Sequence, residues 1–378
     1  MKTPLLGLYN PDLTRPYGVV VLNEWKANLI PALRAVNPNV KVLLYKNAAF
    51  LREDDNASTV GGFKTAPESW FLHDANGDRI TRLVYGVRAH MMDPLNAAWR
   101  AHWAIEALDA AEAIGSDGVF ADDVFSKKYG EVSAAVGCTD LAYQTAVRGF
   151  LAAVKAWMPN HLLVANLVEH MTYPNLWADW LTVCDGLMDE HFQSASVTGG
   201  LADDRGDNWW LQRVQQVEEC ERQGKLGLFR SKGSAIDLAR MNYCWASFLL
   251  GAGPHTHWTH TEATDNTSPW FDGWGHDFGE PLGPRVLVGN VWARGFKGGE
   301  ASVDPRQGVT TSSVSMWPAT PPPPPPPPPP PIDPRLALLE AEHAAVMAPY
   351  RRVSGRTYKQ VDAGWLTGVI AAGKAVEG

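Results

Sequence analysis

Short apolar runs that alternate with stretches of helical period constrain this chain more than any other feature. Candidate strands fall at residues 5–9, 40–45, 90–92, 118–121, 162–165, 186–188, 226–229 and 255–258. Strands separated by helices imply crossover connections and a parallel sheet. Eight such units over about 260 residues match a closed (β/α)8 TIM barrel. A doubly wound sheet would carry a glycine-rich phosphate loop after its first strand. The segment "LGLYNPDLTRP" at that place has none.

The helical stretches carry their own punctuation. In "NAAWRAHWAIEALDAAEAIG", Trp99, Trp103, Ala107, Ala110 and Ile114 fall three or four residues apart. Asp93 and Pro94 suit an N-cap and first helical position, and Gly115 a stop. "LAYQTAVRGFLAAVKAWM" predicts a second helix, closed by Pro159. Beyond the eighth run, "PLGPRVLVGNVWARGFKGGEASVDP" has β-branched residues between turn glycines and reads as two or three antiparallel strands. The expected division is a barrel over 1–282, a β-segment packed on it over 283–318, a proline linker over 319–331 and a short helical tail over 332–378. The eleven consecutive prolines at 321–331 would form a polyproline II rod about 34 Å long at about 3.1 Å per residue. The tail reads as a tether or docking segment; an SH3-type ligand in the proline run is the alternative.

Composition excludes several functions. Acidic residues outnumber basic ones 41 to 33, for a net charge of −8, which argues against nucleic acid as a partner. No window is long and apolar enough for a membrane span. The N-terminus lacks the pattern of a secretory signal peptide, so the expected location is cytoplasmic, virion-bound or exported by a non-classical route. The four cysteines show no metal or redox spacing and read as free thiols. Sixteen tryptophans supply either sugar-stacking faces or core bulk; Trp177, Trp180, Trp209, Trp210, Trp258, Trp270 and Trp274 are the candidates for stacking.

Barrel enzymes draw their chemistry from the C-terminal ends of the strands. Those ends here carry Asn10, Asn47, Asp93, Asp122 with Asp123, Asn166 with Glu169, and Asp189 with Glu190, while the seventh offers Arg230 and Lys232. Glycoside cleavage needs two carboxyl groups flanking the scissile bond, and strands four and six could each supply one. Strand alternation puts Gly118, Phe120 and Asp122 on one face, and Ala121 and Asp123 on the other. One acid of each doublet should therefore face the cavity. The other would cap a helix or pair with a cation, and Asp93 before Pro94 suits a cap better than catalysis. "HTHWTH" (His255, His257, His260) could place two imidazoles together. Further ligands are hard to find, so these histidines read as structural or, with His257 and Trp258, as substrate-lining. No metal and no cofactor is expected.

"KVLLYKN", "HMMDP" followed by "W", "DGVFADDV", "DGLMDEHF" and "LGPRVLVGNVWARGFKGGEASVDP" together resemble the hypothetical glycosyl hydrolase 15 family, over roughly residues 1–310. That group is related to endo-α-1,4-polygalactosaminidase-type barrels. The resemblance implies a catalytic Asp at the end of strand four, on Asp122 with Asp123 beside it, and a second acid at the end of strand six, on Glu190. In retaining relatives the first is the nucleophile and the second the acid/base. It implies a carbohydrate substrate without naming the sugar. Val303-Asp304-Pro305 stands where Val-Asn-Pro is usual, and the closing segment is too short for a full sugar-binding domain. Asn47, Asp93, Asn166, Asp189, Arg230, His257 and Trp258 complete the expected substrate contacts. The proline run and small tail also suggest a minor tail protein of a phage that infects actinobacteria, held to other virion proteins through the tail. The functional expectation is a hydrolase of polysaccharide or cell-envelope glycan; the alternative is an inactive barrel that binds glycan without cleaving it.

Overall fold

The computed structural model describes residues 2–168, 170–173, 175–195, 209–262, 269–271, 273–306 and 312–316. The proline run and the tail lie outside these, as does Glu169.

In chain order the strands are β1 (Leu6–Leu8), β2 (Val19–Leu22), β3 (Lys41–Asn47), β4 (Phe50–Arg52), β5 (Thr81–Val84), β6 (Val87–Met91), β7 (Gly118–Phe125), β8 (Leu162–Val168), β9 (Gly186–Asp189), β10 (Leu226–Lys232) and β11 (Thr256–Thr261). β12 (Val286–Val288), β13 (Val291–Phe296), β14 (Gly299–Val303) and β15 (Ser313–Met316) follow. The helices are α1 (Ile30–Val36), α2 (Ala97–Ile114), α3 (Asp140–Trp157), α4 (Leu176–Trp180), α5 (Trp209–Gln223) and α6 (Leu238–Leu249).

The main sheet has eight parallel strands in the order β1-β2-β3-β7-β8-β9-β10-β11. A parallel bridge between Leu5 and Trp258 and a bond from the Trp258 amide to the Pro4 carbonyl (2.9 Å) bring its ends together. The fold is the expected barrel, with two corrections to its strands. Barrel strand two is β2, "VVVL", a run too short to carry a period. Residues 90–92 are not a barrel strand: they close an antiparallel sheet of order β4-β6-β5, inserted between barrel strands three and four. The two errors cancel in the count, so β7 remains strand four and β9 strand six.

Parity sorts the strand residues into two cores. Leu6, Leu8, Val19, Val21, Leu43, Phe120, Val164, Met188 and Leu228 fill the barrel interior. Their neighbours, among them Val20, Val42, Leu44, Val119, Ala121, Leu163, Leu187 and Phe229, belong to the larger core that includes the helices. α2 buries Trp99, Trp103, Ala107 and Ala111, and α3 buries Tyr143, Val147, Phe150, Leu151 and Val154. Gly115 ends α2 in the left-handed region at φ 68°. The N-cap of α2 is Asn96, whose side chain accepts from the Ala98 and Trp99 amides. Asp93 instead makes a local turn, its Oδ1 accepting from the Leu95 amide at 2.9 Å.

After the barrel, β12-β13-β14-β15 form an antiparallel sheet. β14 and β15 lie against α6, and Arg294 from β13 donates to the Leu249 and Ala252 carbonyls. This sheet belongs to the same compact unit as the barrel, Met1–Thr320. The tryptophans mostly build core: Trp177, Trp180, Trp210, Trp258 and Trp274 are buried. Trp270 is exposed, with the Arg15 guanidinium 5.0 Å above its ring. Three of the four free cysteines are buried and Cys138 is half-buried. Among the described residues, no helix is long and apolar enough to cross a membrane.

Candidate active site at the C-terminal mouth of the barrel

Interior parity decides what reaches the mouth. On β3, Tyr45 and Asn47 follow Leu43 inward; on β7, Asp122 follows Phe120; on β8, Asn166 follows Val164. On β9 the next inward position after Met188 is Glu190, just past the strand, and on β10 Arg230 and Lys232 follow Leu228.

These side chains form one connected network. Tyr45 donates its hydroxyl to Asp122 Oδ2 at 2.6 Å, and Asn166 donates Nδ2 to Asp122 Oδ1 at 2.7 Å. The same Asn166 nitrogen donates to Glu190 Oε2 at 3.0 Å. Glu190 Oε1 accepts from Arg230 Nη1 at 2.8 Å and from Lys232 Nζ at 3.0 Å. Arg230 is braced by Thr261 Oγ1, and Lys232 also meets His191 Nε2 at 3.1 Å. One amide thus joins the strand-four and strand-six carboxylates, and two cations hold the second.

The two acids sit in opposite fields. Burial, then the negative charges of Asp123 and Glu190, push the Asp122 carboxyl up to about 7, against the bonds from Tyr45 and Asn166. Burial would raise Glu190 as well, but Lys232 and Arg230 outweigh it and hold Glu190 below its ordinary value. Burial lowers Lys232 despite the adjacent Glu190. Tyr9, at a positive φ of 52° at the end of β1, packs its ring edge-on to Tyr45 at 5.6 Å. Burial and then Asp122 push both phenols well above the ordinary tyrosine range, so both stay protonated donors.

Asp123 departs from simple alternation. The β7–β8 register shifts between Ala121 and Val124, and Asp123 adopts a positive φ of 56°. This bulge delivers its carboxylate to Asn47 Nδ2 at 2.8 Å and to Arg82 of the inserted sheet. Bulges re-aim side chains next to functional sites, and here both members of the doublet end near the mouth.

Four expected contacts are placed elsewhere. Asp189 faces outward: it is buried and paired with Arg213 Nε at 3.0 Å, its Oδ1 accepting from the His191 amide. Arg213 and His170 outweigh burial and hold it below the ordinary carboxylate range. His257 pairs in register with Leu228 and plugs the opposite end of the barrel, where a Cβ on Gly18 would meet its Nε2 at 2.2 Å. Trp258 faces the helix layer, stacked on Phe248 and bonded to Ser231 Oγ. Asp93 follows β6 of the inserted sheet rather than a barrel strand. Among the described residues, no three His, Cys, Asp or Glu side chains are grouped to hold a metal ion.

Tyr9, Tyr45 and Arg82 were not anticipated. Tyr45 shares parity with Asn47 and could have been read from it; Tyr9 and Arg82 carry no local signal.

A family model described as hypothetical glycosyl hydrolase family 15 matches residues 34–300. No curated protein matches. Among solved structures, the chain is similar to the glycoside hydrolase domain of PelA from Pseudomonas aeruginosa, at 14% identity over 70% of this chain and 96% of that one, with a TM-score of 0.45. It is also similar to Aspergillus fumigatus Ega3 in complex with galactosamine, at 13% identity over 72% and 83% of the two chains, with a TM-score of 0.36.

Proposed function

This chain belongs to hypothetical glycosyl hydrolase family 15, and on that premise we propose that it cleaves glycosidic bonds with Asp122 and Glu190 as its two carboxylates. The observation that carries this is the Asn166 amide shared between them. Both bonds meet at one nitrogen, so the bridged oxygens are no farther apart than 2.7 and 3.0 Å laid end to end. The two carboxylates are therefore close neighbours across one amide, as a closely set, retaining pair requires. Asp122, with a donor on each oxygen, attacks the anomeric carbon as the bond to the leaving oxygen breaks, and Glu190 protonates that oxygen. Water, deprotonated by Glu190, then attacks the glycosyl-enzyme and frees Asp122. Asp123, partly exposed, is the candidate to contact sugar hydroxyls, while the buried Asn47 and Arg230 hold Asp123 and Glu190 in place.

The ion pairs favour a second assignment on the same pair. With Glu190 between two cations and Asp122 raised to about 7, the unliganded site keeps its single proton on Asp122, which would then be the acid and Glu190 the nucleophile. Azide separates the two, provided an aryl glycoside with a good leaving group is turned over. The first assignment expects Asp122→Ala plus azide to give a glycosyl azide of inverted configuration, and Glu190→Ala plus azide to give a retained one; exchanged outcomes establish the second.

We propose an envelope polysaccharide as substrate. Reducing ends released from it by the wild type, and not by Asp122→Asn, support the enzyme. Retention on the polysaccharide without release would instead mark a binding barrel.

A further inference from the structure

Strands β8 and β9 are connected through α4, which has only five residues, whereas α5, after β9, has 15. The short helix leaves the outer wall of the barrel thin, and a cavity of about 610 Å³ opens between α4 and α5. That is within the range of small-molecule sites. Asn175, Gln212, Gln215 and Gln216 line it, together with Tyr173 and Trp177. The three glutamines share one face of α5 at spacings of three and four residues, while Val214, Val217 and Cys220 take the core-facing positions. Charged groups at its far end are paired: Arg222 binds Glu219 and Arg285 binds Glu218. The lining is therefore amide and aromatic in character, without a net ionic demand.

Gln216 is the telling residue. Its side chain is buried, yet among the described residues Nε2 meets only the Met171 sulfur at 3.2 Å and Oε1 has no partner. Exchanging the two ends of the amide alters nothing, since one end then still faces a sulfur and the other nothing. A buried amide left this way calls for an outside partner that both donates and accepts. Hydroxyl groups do both, and aromatic faces take the apolar side of a sugar ring.

We propose that this groove is a second carbohydrate-binding site, for a neutral polyhydroxylated chain. It rests on the glycan-directed reading for its ligand class and on none of the catalytic assignments. His170, which lines the groove, lies 3.7 Å from the outward-facing Asp189, whereas Glu190 points into the mouth. The two sites thus flank β9 on opposite sides, and the groove holds chain while the mouth cleaves it.

The test uses the full chain carrying Asp122→Asn and Glu190→Gln, so that nothing is consumed. It is run through native gels cast with dextran, soluble starch or hydroxyethyl cellulose. At least one polymer should retard it, and adding Gln212→Leu with Gln216→Leu should weaken the retardation about tenfold, about 1.4 kcal/mol, with Tm unchanged. Tyr173→Ala, at a half-buried position, repeats the test should Gln216→Leu disturb the core. No retardation by any of the three polymers overturns the proposal, and so does retardation that the groove variants leave intact. Wild-type hydrolysis is measured separately, so failure of the catalytic reading leaves this result standing on its own.

Discussion

At the residue scale, the site places one acid that resists ionisation beside one that resists protonation. Asp122→Asn and Glu190→Gln should each lower kcat by about 10²–10⁴-fold, the usual contribution of such groups, with Tm moved by no more than a few degrees. Linkage makes the Asp122 variant informative in its own right. The folded carboxyl sits at about 7 against an ordinary value of 3.8, so its stabilising contribution is present below 3.8 and is lost as pH rises through 7. Asparagine cannot ionise, so Asp122→Asn should be more stable than wild type at pH 8, with the difference shrinking at pH 5. Melting curves at the two pH values check this; equal shifts at both would reject the raised pKa. Tyr45→Phe removes a hydroxyl that donates to Asp122 and touches nothing else in the network. A hydrogen bond to a charged group of this kind should cost on the order of 10–100-fold in kcat. The limb of the pH profile that Asp122 sets, acid if it is the nucleophile and alkaline if it is the acid, should move upward as well; if neither limb moves, the hydroxyl only packs. Strand parity shows in the sequence that one acid of each doublet faces inward, and the family resemblance puts those roles on Asp122 and Glu190. Parity could not reveal Asp123, because the positive φ that turns its carboxylate back to Asn47 and Arg82 is set by the bulge against β8.

At the scale of elements, strands four and six repeat one design. Asp117 and Asp185 precede Gly118 and Gly186, and each aspartate accepts the amide of the preceding strand: Val42 at 2.8 Å and Leu163 at 2.9 Å. Each glycine lets the following strand approach, since a Cβ would lie 2.1 Å from the Leu162 carbonyl at Gly118 and 2.5 Å from that of Leu226 at Gly186. Five residues beyond each aspartate stand Asp122 and Glu190. This common spacing is written in the sequence, and it sets Asp122 and Glu190 at equivalent points of their strands. Gly118→Ala should therefore destabilise the protein by about 1–3 kcal/mol, as overpacking does, and lower activity by displacing Asp122 relative to Asn166. Urea unfolding together with kcat measures both; a neutral result would mean that the strands separate without cost. β2 was illegible because four consecutive valines and leucines, buried on both faces, carry no period. Residues 90–92 misled because half of an antiparallel sheet shows the same apolar run as a barrel strand.

At the scale of the whole molecule, the barrel is closed at the bottom by apolar layers and His257, and its charged groups collect at the top. Burial lowers His257 and His260 to about 4. A depressed histidine contributes stability that is fully present above about 6.5 and is lost as pH falls toward 4, because the unfolded chain takes up the protons first. Asp189, held low by Arg213 and His170 after burial, loses its contribution only at still lower pH. The two histidines should thus lose stability between pH 7 and pH 5 while Asp122 gains it, and His257→Gln should shift that slope toward greater stability at pH 5. Urea midpoints at the two pH values provide the check, and an unaltered slope would remove His257 from the account. The sequence by itself determined the barrel, its parity and the acid doublets at the ends of strands four and six, because the period of two and the strand–helix alternation are local properties of the chain. The tertiary structure alone decided the rest. It made Asn166 the shared donor, aimed Arg230 and Lys232 at Glu190, sent Asp189 and Trp258 into the wall and brought Arg82 from an inserted sheet to Asp123. Each of these depends on which strand lies beside which, and register is settled only when the sheet closes.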